Sequence, residues 1–380
     1  MRPDPERLLD EAIELLHRRG FAAGDGEVVD LLASHNALVD RSDERVRIRP
    51  ALLREMLSNV PSGFNLHDRS GRKVRTLAGG ADLEPGPPMQ ATTLPSTNPV
   101  APERLPDLCR DQAEGGGFDI LGEPACPGHL PGPLGDLYPF FWGMLTSRRP
   151  RLLRPRDPEV LDGLRSLMSV LRGSPQKALE TPFVVVESIA AHSLVWPPAA
   201  CRILIDGARR GLPVAVVTPP APARATKDEA WVIEAAAMGI AGVTIHQLAR
   251  GDAPVLWGVP FVQPMAPTPE ARGAWRALIA VGDLIGMPTH VTLLSRSRSN
   301  ADLWAAEAAL AGVSLIAWGD ATRDTSAAIE IARMCGAAAE PAEAAVALDA
   351  SVTAGLTRVL RHEADRLGAG RIPLPEGVPE

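Results

Sequence analysis

Apolar and polar positions divide the chain into two regions of different pattern. In residues 4 to 19, DPERLLDEAIELLHRR, the positions Leu8, Leu9, Ala12, Ile13, Leu15 and Leu16 recur at helical spacing, and Gly20 stands where such a helix would stop. GDGEVVDLLASHN repeats the pattern more briefly. ALVDRSDERVRIRP then alternates as two short strands around the polar turn RSDE, and PALLREMLSNV predicts a helix with proline in its first turn. FNLHDRSGRKVRTL predicts a second hairpin. Residues 1–85 thus read as a helix-and-hairpin appendage.

Beyond it, short apolar runs alternate with helical patterns. The runs are PMQATTL (88–94), FDILGEP (118–124), RPRLLRP (149–155), PFVVVESI (182–189), PVAVVTP (213–219), PVLWGVPF (254–261), PTHVTLLS (288–295) and VSLIAWGD (313–320). They are continuously apolar rather than strictly alternating, as parallel strands covered on both sides should be. Eight strands with helices between them predict an α/β fold, a (β/α)8 TIM barrel over residues 86–368, with an open doubly wound sheet as the rival. The helical C-terminal stretch would close the last unit, and residues 369–380 read as a loose tail.

Composition narrows the function classes. The 34 glycines and 37 prolines fall between the apolar runs, where many short connections belong. A net charge of −7 argues against a surface that wraps nucleic acid. Only Lys73, Lys177 and Lys227 are lysines, and none ends a predicted strand, so a Schiff-base mechanism finds no nucleophile. The cysteines, Cys109, Cys126, Cys201 and Cys335, form no C-x-x-C pair, and the histidines show no metal-binding spacing, so no metal site is expected. The charged N-terminus is unlike a signal peptide, and no apolar stretch stands out as a membrane span. The reading is a cytoplasmic protein with no membrane or nucleic-acid partner; a homo-oligomer is left open.

Several segments resemble a known family. EAIELLHRRGFAAGDGEVVDLLASHNALVDRSDERVRIRPALLREMLSNVPSGFNLHDRSGR resembles the opening of the trimethylamine methyltransferase family, the corrinoid-dependent methylamine methyltransferases. DLYPFFWGMLTSRRP (136–150), ARRGLPVAVVTPP (208–220) and AGVTIHQLARGDAPVLWG (241–258) resemble later segments in the same order. The resemblance implies a TIM barrel that moves a methyl group from a methylated amine or betaine-like quaternary ammonium to a corrinoid protein. The cobalamin would be carried by that partner, with no cofactor bound directly by this chain. The sequence also departs from the family. Its glycine-rich loop reads APARATKDE, Met238 stands where a glutamate is usual, and LLSRSRSNAD places Arg298 near the pyrrolysine or lysine position. An arginine keeps its charge and forms no imine-like adduct, so this is a divergent member without pyrrolysine.

Holding a methylated cation takes carboxylates or aromatic faces, and in a barrel both belong at the C-terminal strand ends. Those ends offer Glu123, Arg154, Glu187, Gln263, Ser295 and Asp320. Glu187, after FVVV, is the candidate cation partner, or else the ion-pair partner of Arg154 on the next strand. A Glu187 closed off against that arginine would be lost to a cationic guest. Asp320 is a second acid or a helix N-cap, and His192, in the loop after strand four, a candidate proton carrier. Trp257 and Trp318 are candidates for an aromatic cage, or else packed core. His290 lies near the start of strand seven and is discounted. Arg296 and Arg298, beside a predicted helix start, suit an anionic group, such as a betaine carboxylate or a phosphate. Two alternatives to methyl transfer stay open. One is a catalytically silent barrel relative that binds a ligand or partner; the other is a phosphate-anchoring acid–base barrel enzyme using Glu187 or His192.

Overall fold

The computed structural model describes residues 4–40, 42, 45–79, 88–92, 96–115, 117–130, 132–219, 230–262, 269–294, 305, 308–309, 311–318, 347–370 and 372–375. The appendage comprises α1 (Pro5–Arg18), β1 (Ala22–Ala23), α2 (Gly26–Ser34), β2 (Leu38–Asp40), β3 (Arg45–Arg47), α3 (Pro50–Ser58), β4 (Gly63–His67) and β5 (Lys73–Ala78). Asp4 caps α1 by accepting from the Glu6 N–H, and Gly20 follows the helix at φ 65°, a left-handed conformation that favours glycine. Both predicted hairpins are present: β2 pairs with β3 and β4 with β5, each antiparallel.

All eight predicted strands meet in one ring. They are β6 (Met89–Thr92), the bridging residues 120–121, β9 (Arg151–Leu153), β10 (Val184–Ile189), β12 (Val214–Val217), β13 (Val255–Val262), β14 (Thr289–Leu294) and β15 (Leu315–Trp318). Seven pair in parallel in the order β6-β15-β14-β13-β12-β10-β9. Parallel bridges from Ala91 to Ile120 and from Leu121 to Arg151 close the ring, which makes the fold a TIM barrel. The second strand is short because Gly122 and Pro124 follow at once. Two short parallel ladders lie outside the ring. One is β7 (Ser96–Val100) with β8 (Ala125–Pro127); the other joins β1 to β11 (Val195–Trp196).

The helices form the outer layer: α4 (Leu105–Glu114), α5 (Gly132–Thr146), α6 (Val160–Arg172), α7 (Pro175–Glu180), α8 (Pro198–Arg209), α9 (Ala230–Ala249), α10 (Pro269–Ile285) and α11 (Ala350–Arg366). The aromatic stretch at 136–145 lies in α5 and is mostly buried, so it serves as packing. Contrary to the sequence reading, one helix among the described residues, α9, is long and apolar enough to cross a membrane. It is buried: α1, α2 and α3 lie against it, α8 and α10 flank it, and it packs on the strands. A helix covered on all sides has no polar face to show.

The β4–β5 hairpin closes the N-terminal end of the barrel. Leu66 and Leu77 pack with the inward residues Met89, Leu152, Val185, Leu256 and Leu315. The His67 N–H donates to the Pro182 carbonyl (2.9 Å) and the Ser314 hydroxyl to the Ala78 carbonyl (2.9 Å), both at strand starts. The tail is less loose than expected, since Ile372 is buried and the Tyr138 hydroxyl donates to the Pro373 carbonyl (2.7 Å).

Candidate functional site

Alternation along β10 sends Val185, Glu187 and Ile189 inward, while Val184 and Val186 face the helices. The register sets Val186 beside Leu153, so Glu187 stands level with Arg154, the first residue past β9. The Arg154 Nε–H donates to Glu187 Oε2 at 2.7 Å. The Glu187 side chain is wholly buried, whereas the Arg154 side chain keeps 21% of its surface exposed.

Glu187 also reaches across the barrel. Its Oε1 accepts from the Thr292 hydroxyl at 3.0 Å, and His290 Nε2 lies 3.2 Å from Thr292 Oγ1 and 3.5 Å from Glu187 Oε1. Thr292 has one hydroxyl proton, committed to the carboxylate, so its oxygen accepts and His290 Nε2 carries the hydrogen. Burial alone would raise the Glu187 pKa. Arg154, His290 and the two hydrogen bonds outweigh that and hold it below the usual carboxylate value. Burial lowers the His290 pKa to about 4, only partly opposed by Glu187. The chain Arg154–Glu187–Thr292–His290 thus holds one cation, one anion and a neutral imidazole. His290, discounted in the sequence, is the clearest omission. It is the second residue of β14 and points inward, a fact legible only from the parity of THVTLL and the partner it meets.

A second group lies between the short second strand and α5. Glu123 is buried, and its Oε1 has no partner among the described residues. Burial, then the charge of Asp136, pushes its carboxyl well above the usual range against the pull of Arg156, Arg151 and Arg154. Environment alone thus pushes these two carboxyls in opposite directions, Glu123 toward the neutral acid and Glu187 toward the anion. Asp136 accepts from the Arg156 backbone N–H (2.7 Å) and Nε–H (2.6 Å), and Arg156 also contacts the Cys126 thiol. Arg151 points outward and donates to the Gly122 carbonyl (2.9 Å).

The remaining expected site residues divide into three sets. Trp257 and Trp318 form no cage, because their strand parity turns both out of the barrel. The Trp257 ring packs where Gly239 and Gly282 leave room on α9 and α10, and its indole N–H donates to the Leu278 carbonyl (2.8 Å). Trp318 donates to Gln90 Oε1 (2.7 Å) on the same outer side. His192 is exposed in the loop leading to β11, and no bond joins it to Glu187. Gln263, Ser295, Arg296, Arg298 and Asp320 lie outside the described residues. Met238 is fully buried in α9, where its carbonyl accepts from the Trp196 indole (3.1 Å).

No protein-family model and no curated protein sequence matches the chain. Solved structures do resemble it. The structure of MtmB in complex with hydroxylamine aligns at a TM-score of 0.60 and 12% identity, covering 96% of this chain and 79% of that one. Dihydropteroate synthase from Thermus thermophilus with 4-aminobenzoate aligns at 0.39 and 19% identity, over 71% and 99%. A truncated 3-deoxy-D-arabino-heptulosonate 7-phosphate synthase from Thermotoga maritima aligns at 0.37 and 11%, over 78% and 91%. At these identities the likeness is one of fold, that of TIM-barrel enzymes.

Proposed function

We propose that this chain moves a methyl group from a betaine-like quaternary ammonium compound to a corrinoid carried by a partner protein. The reading is carried by the ordered segments that resemble the trimethylamine methyltransferase family, in a chain whose fold is like that of MtmB, a methylamine methyltransferase, over 96% of its length. The Arg154–Glu187 pair refines the donor. A bare methylammonium would find Glu187 neutralised and would meet the guanidinium first. A donor with both a carboxylate and a quaternary nitrogen suits such a mouth better, because the carboxylate can take the Arg154 N–H edge.

The partner's corrinoid supplies the methyl acceptor. The carbon–nitrogen bond breaks with its electron pair left on nitrogen. A quaternary donor departs as a neutral tertiary amine, so no proton has to be delivered. The tasks of this chain are to hold the donor, align its bond toward the mouth and exclude water.

One observation favours a second reading. With Glu187 sealed by Arg154, none of the described expected site residues offers an open carboxylate to the quaternary nitrogen, which suits a barrel that binds its ligand without turning it over. Thermal-shift measurements with trimethylglycine, tetramethylammonium and inorganic phosphate, followed by a methylation assay with a Co(I) corrinoid protein, separate the readings. Stabilisation by trimethylglycine above the other two, with methylation of the corrinoid, supports the proposal. Stabilisation without methylation supports the silent relative, and a response to phosphate alone removes both.

A further inference from the structure

We infer that Thr292 and His290 are positioning residues: together they hold Glu187 ionised and turned toward Arg154, and so fix the guanidinium edge that the mouth presents to a ligand's anionic group. The role given to that edge rests on the proposed donor class; the control of Glu187 does not.

Glu187 is wholly buried, and each carboxylate oxygen accepts one hydrogen bond, Oε2 from Arg154 (2.7 Å) and Oε1 from Thr292 (3.0 Å). The Thr292 hydroxyl rotates freely unless something fixes its oxygen, and His290 Nε2 at 3.2 Å does so. Among the described residues, Arg154 and His290 are the titratable groups facing the carboxylate. The inward positions of β12, β13 and β15 are apolar, with Ala215, Val217, Leu256, Leu315 and Ala317. The one other described polar atom near Oε1 is His290 Nε2, at the longer distance of 3.5 Å. Without Thr292, Oε1 loses its close donor, which favours the protonated acid, and a protonated Glu187 releases Arg154 from its fixed pose.

The test uses full-length protein labelled with [δ-13C]glutamate and [15N-imidazole]histidine, titrated by NMR from pH 4 to 8 without ligand. Glu187 and His290 are assigned by loss of their signals in Glu187→Gln and His290→Leu. In the wild type the Glu187 midpoint lies below that of a free glutamate, and at pH 7 His290 is a single Nε2–H tautomer. In Arg154→Met the Glu187 midpoint enters the window. Adding Thr292→Val raises it by about one further pH unit, roughly the worth of one hydrogen bond to a charged group, whereas adding Thr292→Ser leaves it within about 0.3. Should Thr292→Val fail to fold, His290→Leu in the Arg154→Met background carries the same test, with a smaller shift in the same direction. A midpoint indifferent to these changes, or a failure of serine to substitute, overturns the inference. Because this arm contains no methylated compound, the absence of a methyl donor would defeat the proposed function and leave this result standing.

Discussion

Replacing Arg154 by methionine keeps the packing stem and removes the charge that faces Glu187. If the carboxylate stayed ionised, a wholly buried anion would have lost its counter-charge, a change that costs about 3–5 kcal/mol. The variant has another course, which is to fold with Glu187 protonated. In the unfolded chain the group titrates near 4.5, so keeping it neutral at pH 7 costs about 3.4 kcal/mol, falling by about 1.4 kcal/mol for each pH unit removed. The sign follows from the direction of the shift. In the wild type the Glu187 pKa is depressed, so its contribution is present above 4.5 and lost as pH falls through the folded value. In the variant that contribution is gone already. Equilibrium urea unfolding at pH 7, 6 and 5 should therefore show a deficit of at least about 3 kcal/mol at pH 7 that shrinks by about 2.5 kcal/mol at pH 5. At pH 7, Arg154→Met/Glu187→Gln should recover most of the loss, with about 2–3 kcal/mol of coupling in the double-mutant cycle. A deficit below about 1 kcal/mol at pH 7 that does not vary with pH would refute the reasoning, since no ionised, paired Glu187 would then exist.

Three further outcomes follow from the same structure. His246 and His290 are both wholly buried, with pKa values lowered by burial to about 3 and about 4 against an unfolded value of 6.5. Between those limits the unfolded chain binds more protons, so stability falls as pH drops from 6.5. Each histidine should account for about 2 kcal/mol of the loss at pH 5, checked by urea unfolding of the single glutamine variants. Trp257→Phe should lower the melting temperature by removing the indole N–H bonded to Leu278, yet leave the affinity for trimethylglycine unchanged in calorimetry, because the ring faces the helices. Gly239→Ala would set a Cβ 2.4 Å from Trp257 Cη2, so it should destabilise by about 1–3 kcal/mol in the same unfolding assay and more weakly in the Trp257→Phe background.

What the sequence disclosed followed from how locally each feature is encoded. Every barrel strand was legible as an apolar run between proline, glycine and polar punctuation, and both appendage hairpins from their turns. The membrane judgement on α9 failed in an instructive way. Periodicity reports how many sides of a helix are covered, and α9 is covered on one side by strands and on the other by α1 and α3, which lie far away in sequence. For Trp257 and Trp318, cage candidates or else packed core in the sequence, strand parity decides for the core. One residue of offset turns an indole from the barrel interior to the helix layer. Of the two roles the sequence leaves open to Glu187, the structure shows the ion pair with Arg154, since adjacent strands of a parallel ring bring equivalent ends together. Thr292 and His290 were beyond such reasoning, because their contact with Glu187 spans the barrel and depends on the tilt and stagger of the strands.

The polar chain also accounts for the small residues that stand beside it in the barrel interior. In the lower layers Met89, Leu152, Leu256 and Leu315 fill the lumen together with Leu66 and Leu77 of the hairpin. On the Glu187 level the neighbouring β12 position is Ala215, and the positions flanking Thr292 in register are Pro260 and Ala317, with Ala91 beside Ala317. Branched side chains at these points would occupy the space through which Glu187 reaches Thr292, and the carboxylate would lose a partner or turn toward solvent. The hairpin at one end and the alanines at the other therefore serve one arrangement. The first closes the barrel to water from below, so the ion pair sits where its field is weakly screened; the second leaves the width in which the pair can be completed from the far wall.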